Sequence, residues 1–231
     1  MKKIFIAIYS LILLNVIGFL ARFNILSIQK SRNILKNNLF KLLNISINID
    51  EESIENLNKA KNKQIILISN HRTILDPLII QDVLEISNFI DKKIGYWLAK
   101  EDLYKSPFFG LFTRNTGTIL VPKSGNTKEM ISFMKNIDKT VKNGNNIFVF
   151  PEGTRNKTDK KILPFEKGTI LISLKNKLDV LPIYIEGKPE NILKGKIKNN
   201  NIINIKVGNL ISFKNAKKIE EIYLNEFKIG D

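Results

Sequence analysis

Apolar and polar positions follow three different registers along this chain, and each predicts a different kind of element. From Ile4 to Ala21 the apolar character is continuous: IFIAIYSLILLNVIGFLA carries no charge, with Lys2 and Lys3 before it and Arg22 after it. As a helix rising about 1.5 Å per residue, this stretch reaches about 27 Å, the low end of what crosses a bilayer. Ala21-Arg22-Phe23 does not form a small-x-small cleavage site, so the stretch reads as an uncleaved anchor. Next, Ile34, Leu35, Leu39, Leu42 and Leu43 recur at helical spacing, with Lys30, Arg32, Lys36 and Lys41 between them. Such a basic amphipathic helix suits either an anionic membrane surface or a groove on the globular body. Residues 1–43 therefore read as an N-terminal membrane-associated helical segment, and 44–231 as the globular domain. Basic residues after the anchor outnumber those before it, which, if the anchor spans, predicts a cell-membrane protein whose domain faces the cytoplasm.

In the body the period changes. Ile45, Ile47 and Ile49 alternate with polar residues, as in a half-buried strand. Ile65–Ile68 and Ile147–Phe150 are short continuous apolar runs, as in strands buried on both faces. Further strands are predicted over Ile94–Ala99, Thr118–Val121, Val180–Ile185 and Ile202–Phe213, the last broken near Gly208. Between them lie helical signals. Pro77 opens a helix running to about Ile86, with Asp76 placed to cap it. Met130, Met134, Ile137 and Val141 form one face of a helix that ends near Gly144, and Gly168–Leu174 is a shorter helix. Lys194–Asn201 reads as a surface turn. This order predicts an α/β fold, a central mostly parallel or mixed sheet flanked by helices.

Composition narrows the chemistry. The chain has no cysteine, which removes disulfides, thiolate metal sites and a thiol-bound acyl intermediate. Its one histidine, His71, cannot form a histidine metal cluster. With 37 Lys and Arg against 22 Asp and Glu, the net charge of +15 favours an anionic partner: a membrane surface, a phosphorylated substrate or nucleic acid. No helix-turn-helix or RNP-like stretch is present, which argues against nucleic acid. Much of the charge is equally what a lysine-rich solvated surface carries.

Polar clusters follow three of the predicted strands, where α/β sheets bind ligands. Asn70-His71-Arg72-Thr73-Ile74-Leu75-Asp76 follows Ile65–Ile68. A carboxylate on one ring nitrogen fixes a histidine's tautomer and makes it a directed base. On a continuous helix, however, a five-residue spacing sets the two side chains about 140° apart, so they meet only across a turn. Spacing alone leaves a helix-capping Asp76 and a loop His71 as an equal reading. Phe150-Pro151-Glu152-Gly153-Thr154-Arg155 follows the Ile147–Phe150 strand; Gly153 permits a tight turn that sets Glu152 and Arg155 side by side, and Arg155 with Thr154 suits a phosphate. The bland reading is a surface turn with a weak local ion pair. Gly117 to Lys123 delivers a lysine at a third strand end, a weak signal alone.

Together, these blocks resemble the glycerolipid acyltransferase family, over roughly residues 60 to 190 and in the family's order: NHxxxxD at Asn70–Asp76, a second block at Gly117–Lys123, FPEGTR at Phe150–Arg155, and an apolar strand with a proline at Val180–Tyr184. The stretches Ala99–Leu103 and Pro164–Gly168 are also similar to family sequence. The resemblance implies that His71 takes the proton from an acceptor hydroxyl, with Asp76 orienting it. It implies that Arg155 and Lys123 bind the acceptor phosphate, that Glu152, Gly153 and Thr154 help hold the acceptor, and that Asn70, Thr73, Lys100 and Lys167 support the site. The implied acceptor is lysophosphatidate, acylated at its sn-2 hydroxyl by acyl-CoA or acyl carrier protein. Glycerol 3-phosphate or another lysolipid is an alternative acceptor, and a non-catalytic basic membrane-binding protein is the alternative of another class. No cofactor or metal is implied. Lys123 stands where the family usually has arginine, exchanging a planar fork for a point charge.

Overall fold

The computed structural model describes residues 2–89, 95–123, 127–194 and 200–230. Two helices come first, α1 (Lys2–Arg22) and α2 (Ile28–Leu43), then β1 (Ile45–Ile49), α3 (Glu51–Ala60), β2 (Ile65–Ser69) and α4 (Asp76–Ile86). β3 (Gly95–Lys100), α5 (Glu101–Lys105), α6 (Gly110–Asn115), β4 (Thr118–Val121), α7 (Thr127–Lys142) and β5 (Asn146–Val149) follow. The chain continues through α8 (Gly168–Asn176), β6 (Asp179–Ile185), α9 (Glu190–Lys194), β7 (Asn201–Val207), a 3₁₀ turn (Phe213–Lys218) and α10 (Ile219–Glu226). The strands form one sheet in the order β1-β7-β6-β2-β5-β3-β4. β6, β2, β5, β3 and β4 run parallel; β7 pairs antiparallel with β6 and parallel with β1. The α/β class with a mixed sheet is as expected.

The apolar runs become strands because each residue has a core to enter. In β2, Ile65 and Leu67 pack with α2 and α4 on one face, through Leu35, Leu39, Ile79 and Val83. Ile66 and Ile68 pack on the other with α7, α8 and α10, through Ile137, Ile172 and Tyr223. Strand alternation thus sends successive residues into two separate cores. The last predicted strand does break: β7 ends at Val207, and Ile211 then pairs with Val180 as an isolated bridge. Ile94 and most of the predicted 194–201 turn lie outside the described residues. Helices α3, α5, α6, α9 and α10 add to the elements expected.

The basic helix α2 packs on the body. Arg32 is buried and donates to the carbonyls of Gly95, Thr116 and Gly117 at 2.8–3.0 Å. Burial lowers its pKa to about 10, which leaves it charged at neutral pH. Lys36 pairs with Asp82 and Glu85 of α4. Ile6, Leu14 and Ile17 of α1 and Leu35, Leu39 and Leu43 of α2 share the core of the domain. α1 also lies close against α6: a Cβ on Gly18 would fall 2.6 Å from the backbone nitrogen of Phe112.

Tyr223 joins the far end of the chain to the strand ends. Its ring is fully buried, and its hydroxyl donates to the Ile183 carbonyl (2.8 Å) and accepts from the Asn70 N–H (3.2 Å). Tyr223→Phe leaves both groups unpaired while preserving the ring. Such a loss costs about 1–3 kcal/mol. Urea unfolding should detect it, and an unchanged midpoint would mean that the hydroxyl bridge contributes nothing.

Candidate active site

The parallel strands β2, β5, β3 and β4 end at the same edge of the sheet, and the expected polar clusters lie just beyond them. After β2 the chain turns at Asn70. Its side chain pairs with the backbone of Ile185, accepting from the N–H at 2.8 Å and donating to the carbonyl at 2.9 Å. Two strand ends are thereby locked together directly before His71.

His71 and Asp76 meet across a turn. His71 Nδ1 lies 2.8 Å from Asp76 Oδ2, and the same oxygen accepts the backbone N–H groups of Arg72 (2.7 Å) and Thr73 (2.8 Å). The Asp76 side chain is wholly buried, whereas that of His71 is 17% exposed. The expected capping role is corrected here. Leu75 occupies the N-cap position without a side-chain cap, and Asp76 is the first helical residue, with Pro77 beside it. Its carboxylate points back over the 71–73 turn instead of down the helix, and α4's N-terminal dipole favours its negative charge. Thr73 is buried with it, and its hydroxyl accepts from the Leu75 N–H at 3.4 Å. The imidazole lies flat on Phe150, with centroids 3.9 Å apart and planes 10° apart, and Phe150 in turn stacks on Trp97. Nε2 has no protein partner among the described residues.

The Phe150–Arg155 segment makes the expected turn. The Gly153 N–H donates to the Phe150 carbonyl at 3.0 Å, and Gly153 holds φ +64°. The turn does not set Glu152 and Arg155 side by side. Glu152 is buried behind His71, accepting the His71 N–H on Oε1 (2.6 Å) and the Leu163 N–H on Oε2 (2.8 Å). Thr154 and Arg155 are exposed, and the Arg155 side chain has no ion pair among the described residues. Burial pushes the Glu152 carboxyl up to about 7, helped by nearby Asp76; the two N–H groups and Arg72 pull the other way, and desolvation outweighs them.

The remaining expected residues are more scattered. Lys123 follows the edge strand β4, three strand positions from β2 and so roughly 14 Å across the sheet. It lies 3.9 Å from both Glu101 and Asp102. Lys100 ends β3, opposite Val121, and Lys167 precedes α8; both are exposed. Three residues that the sequence reading did not single out complete the site. Arg72 is buried and grips Glu190 through Nε and Nη2 at 2.9–3.2 Å, while donating to the carbonyls of Thr158 and Lys160. Asn156 is buried, and its N–H donates to the His71 carbonyl at 2.6 Å. Adjacency to NHxxxxD and FPEGTR was the only sequence signal for these two. Tyr223, which holds Asn70, had none. Among the described residues, no group of three or more His, Asp and Glu side chains is arranged to hold a metal.

Residues 48–186 match the family model described as Acyltransferase. The chain is 31% identical over 120 residues to a 1-acyl-sn-glycerol-3-phosphate acyltransferase of Helicobacter pylori, covering 52% of this chain and 47% of that protein. It is 30% identical over 149 residues to the enzyme of the same name from Borreliella burgdorferi, covering 64% and 55%. The alignments thus span about half the length of these curated relatives. The crystal structure of PlsC from Thermotoga maritima, a 1-acyl-sn-glycerophosphate acyltransferase, superposes with a TM-score of 0.69 at 22% identity, over 100% of this chain and 96% of that one. At that identity the likeness speaks to fold alone.

Glu152 makes the site's stability pH-dependent. Its folded pKa of about 7 lies above the ordinary 4.5, so between those values the folded state holds more of the proton. Its contribution to stability is therefore greatest below about 4.5 and is lost as pH rises towards 7. Thermal unfolding of the wild type and Glu152→Gln across this range should show the wild-type advantage shrinking as pH rises. An advantage that grows with pH would mean that the two N–H bonds prevail over burial.

Proposed function

The chain belongs to the acyltransferase family, and on that premise we propose that it moves a fatty acyl chain from acyl-CoA or acyl carrier protein to the free sn-2 hydroxyl of 1-acylglycerol 3-phosphate, giving phosphatidate. The names of the relatives support this acceptor. The observation that carries the chemistry is the buried Asp76 carboxylate on His71 Nδ1, with Nε2 unpaired among the described residues. The carboxylate holds the Nδ1–H tautomer, so Nε2 is the basic nitrogen. Nε2 takes the hydroxyl proton as the oxygen attacks the thioester carbonyl carbon. The C–S bond then breaks, and the imidazolium returns the proton to the thiolate. Asp76 stabilises the imidazolium in between.

Arg155 and Thr154, exposed beside the turn, bind the acceptor phosphate. Lys123 joins them only by leaving Glu101 and Asp102. Gly153 lets the backbone pass close to the glycerol, while Glu152 acts from behind as a positioning residue that fixes the backbone of His71. Asn70 and Thr73 brace the same turn, and Lys100 and Lys167 add positive charge at the rim. No step calls for a metal or a resident cofactor.

We further propose that the protein acts at the cell membrane with its domain in the cytoplasm. Among the described residues one helix, Ile4–Arg22, is long and apolar enough to cross a membrane, yet it is partly buried in the domain. Ile4, Ile8, Ile12, Val16 and Phe19 are exposed in one stripe along it. A helix docked on the domain by one face and apolar on the other suits insertion into the near leaflet, in the plane of the membrane.

Two outcomes are expected. Purified protein with labelled acyl-CoA or acyl carrier protein and lysophosphatidate should form phosphatidate, and His71→Ala should lower kcat by about 10³-fold or more. No transfer to any lysolipid, or full activity in the variant, would leave only a basic membrane-binding protein. Replacing Ile8 and Ile12 by lysine should shift the protein from vesicles to the soluble fraction on flotation. Unchanged flotation would mean that other surfaces hold it.

A further inference from the structure

The residues following the FPEGTR turn form a strap beside His71 that is fixed more firmly than a surface loop requires. Asn156 starts it by donating its N–H to the His71 carbonyl. The Asn156 side chain then closes the strap on itself: Oδ1 accepts the Thr158 N–H (2.9 Å) and hydroxyl (2.7 Å), and Nδ2 donates to the Lys160 carbonyl (2.8 Å). From below, Arg72 donates to the Thr158 and Lys160 carbonyls while Glu190, on the connection beyond β6, holds its guanidinium. This part-buried arginine–carboxylate pair is held by three hydrogen bonds. Here it fixes the backbone of a loop whose side chains point outward.

Those side chains are predominantly cationic. Arg155, Lys157, Lys160 and Lys161 are all exposed, and none makes a side-chain hydrogen bond or ion pair among the described residues. The strap's one carboxylate, Asp159, is paired with Lys188 at 3.2 Å. A rigid backbone carrying uncompensated cations next to the reacting histidine has the character of an anion site, since little order is lost when the ligand arrives.

We propose that Lys157, Lys160 and Lys161 form a phosphate-binding strap that extends the Arg155 site and holds a phosphate group of one of the two substrates. This rests on the acyl-transfer reading for the identity of those substrates. Two sources share the chemistry, the phosphate of the lysolipid acceptor and the phosphates of the CoA donor.

Equilibrium binding separates the sources and does not depend on turnover. Lysophosphatidate, monoacylglycerol and CoA are each titrated into the wild type in non-ionic micelles. The same titrations are run on K157Q/K160Q/K161Q and on the charge-matched control K214Q/K217Q/K218Q. The strap variant should bind one of the two phosphate ligands roughly five- to tenfold more weakly, with a flatter salt dependence, while monoacylglycerol and the control are unaffected. The ligand that weakens identifies the source. Unchanged affinity for both phosphate ligands, an equal loss in the control, an equal loss for monoacylglycerol, or a wild type that binds neither phosphate ligand would overturn the proposal. Failure of turnover with intact strap-dependent binding would count against the reaction and not against the strap.

Discussion

One oxygen atom, Asp76 Oδ2, organises the site. It accepts three hydrogen bonds, from His71 Nδ1 and from the backbone N–H groups of Arg72 and Thr73, while its carboxylate is wholly removed from solvent. A buried carboxylate is unfavourable by several kcal/mol unless it is paired. Hydrogen bonds to a charged group return about 1.5–3 kcal/mol each, so three of them offset much of that cost, although Oδ1 is buried without a partner among the described residues. The same three bonds wrap residues 71–73 around the carboxylate and aim the ring. Phe150 then supports its flat face, and Glu152 and Asn156 hold the backbone of His71 from either side. The imidazole is therefore constrained in tautomer, tilt and position by groups from two neighbouring strand ends.

Strand order sets the α1 contact and the strap's anchor on opposite sides of β2, with Arg155 following β5 between β2 and β3. α6, on which α1 rests, leads into β4 at one edge of the sheet, whereas Glu190, which anchors the strap, follows β6 on the other side of β2. His71 sits between them. In the proposed reaction, lipid chains would approach from the exposed stripe of α1, and charged groups would meet Arg155 and the strap lysines.

Short apolar runs located β2, β5 and β6 to within a residue or so, because strands buried on both faces leave no polar position to blur the pattern. The turn at Gly153 and the helix after Pro77 were legible for local reasons, a positive φ and a fixed one. The direction of the Asp76 side chain was not. An aspartate beside a proline caps a helix as readily as it faces back, and only the fold of residues 71–73 decides. Arg32 and Lys36 looked suited to a membrane or to the body, and their partners in the 82–117 stretch settle it. Arg72, Asn156 and Tyr223 reach the site through Glu190, His71 and Asn70, partners 85 or more residues away, for which no local period exists. The remoteness of Lys123 followed from β5 and β3 lying between β2 and β4, an order that sequence spacing does not encode.

Because the chain has a single histidine, the ring nitrogens can be observed without assignment. The most direct test is ¹⁵N spectroscopy of His71 in the detergent-solubilised protein, at a pH where the ring is neutral. The account predicts one tautomer, with the proton on Nδ1 and an unprotonated Nε2, and loss of that preference in Asp76→Ala. A wild-type ring protonated on Nε2, or a tautomer mixture that the substitution leaves unchanged, would contradict the claim that Asp76 sets up His71 as the base.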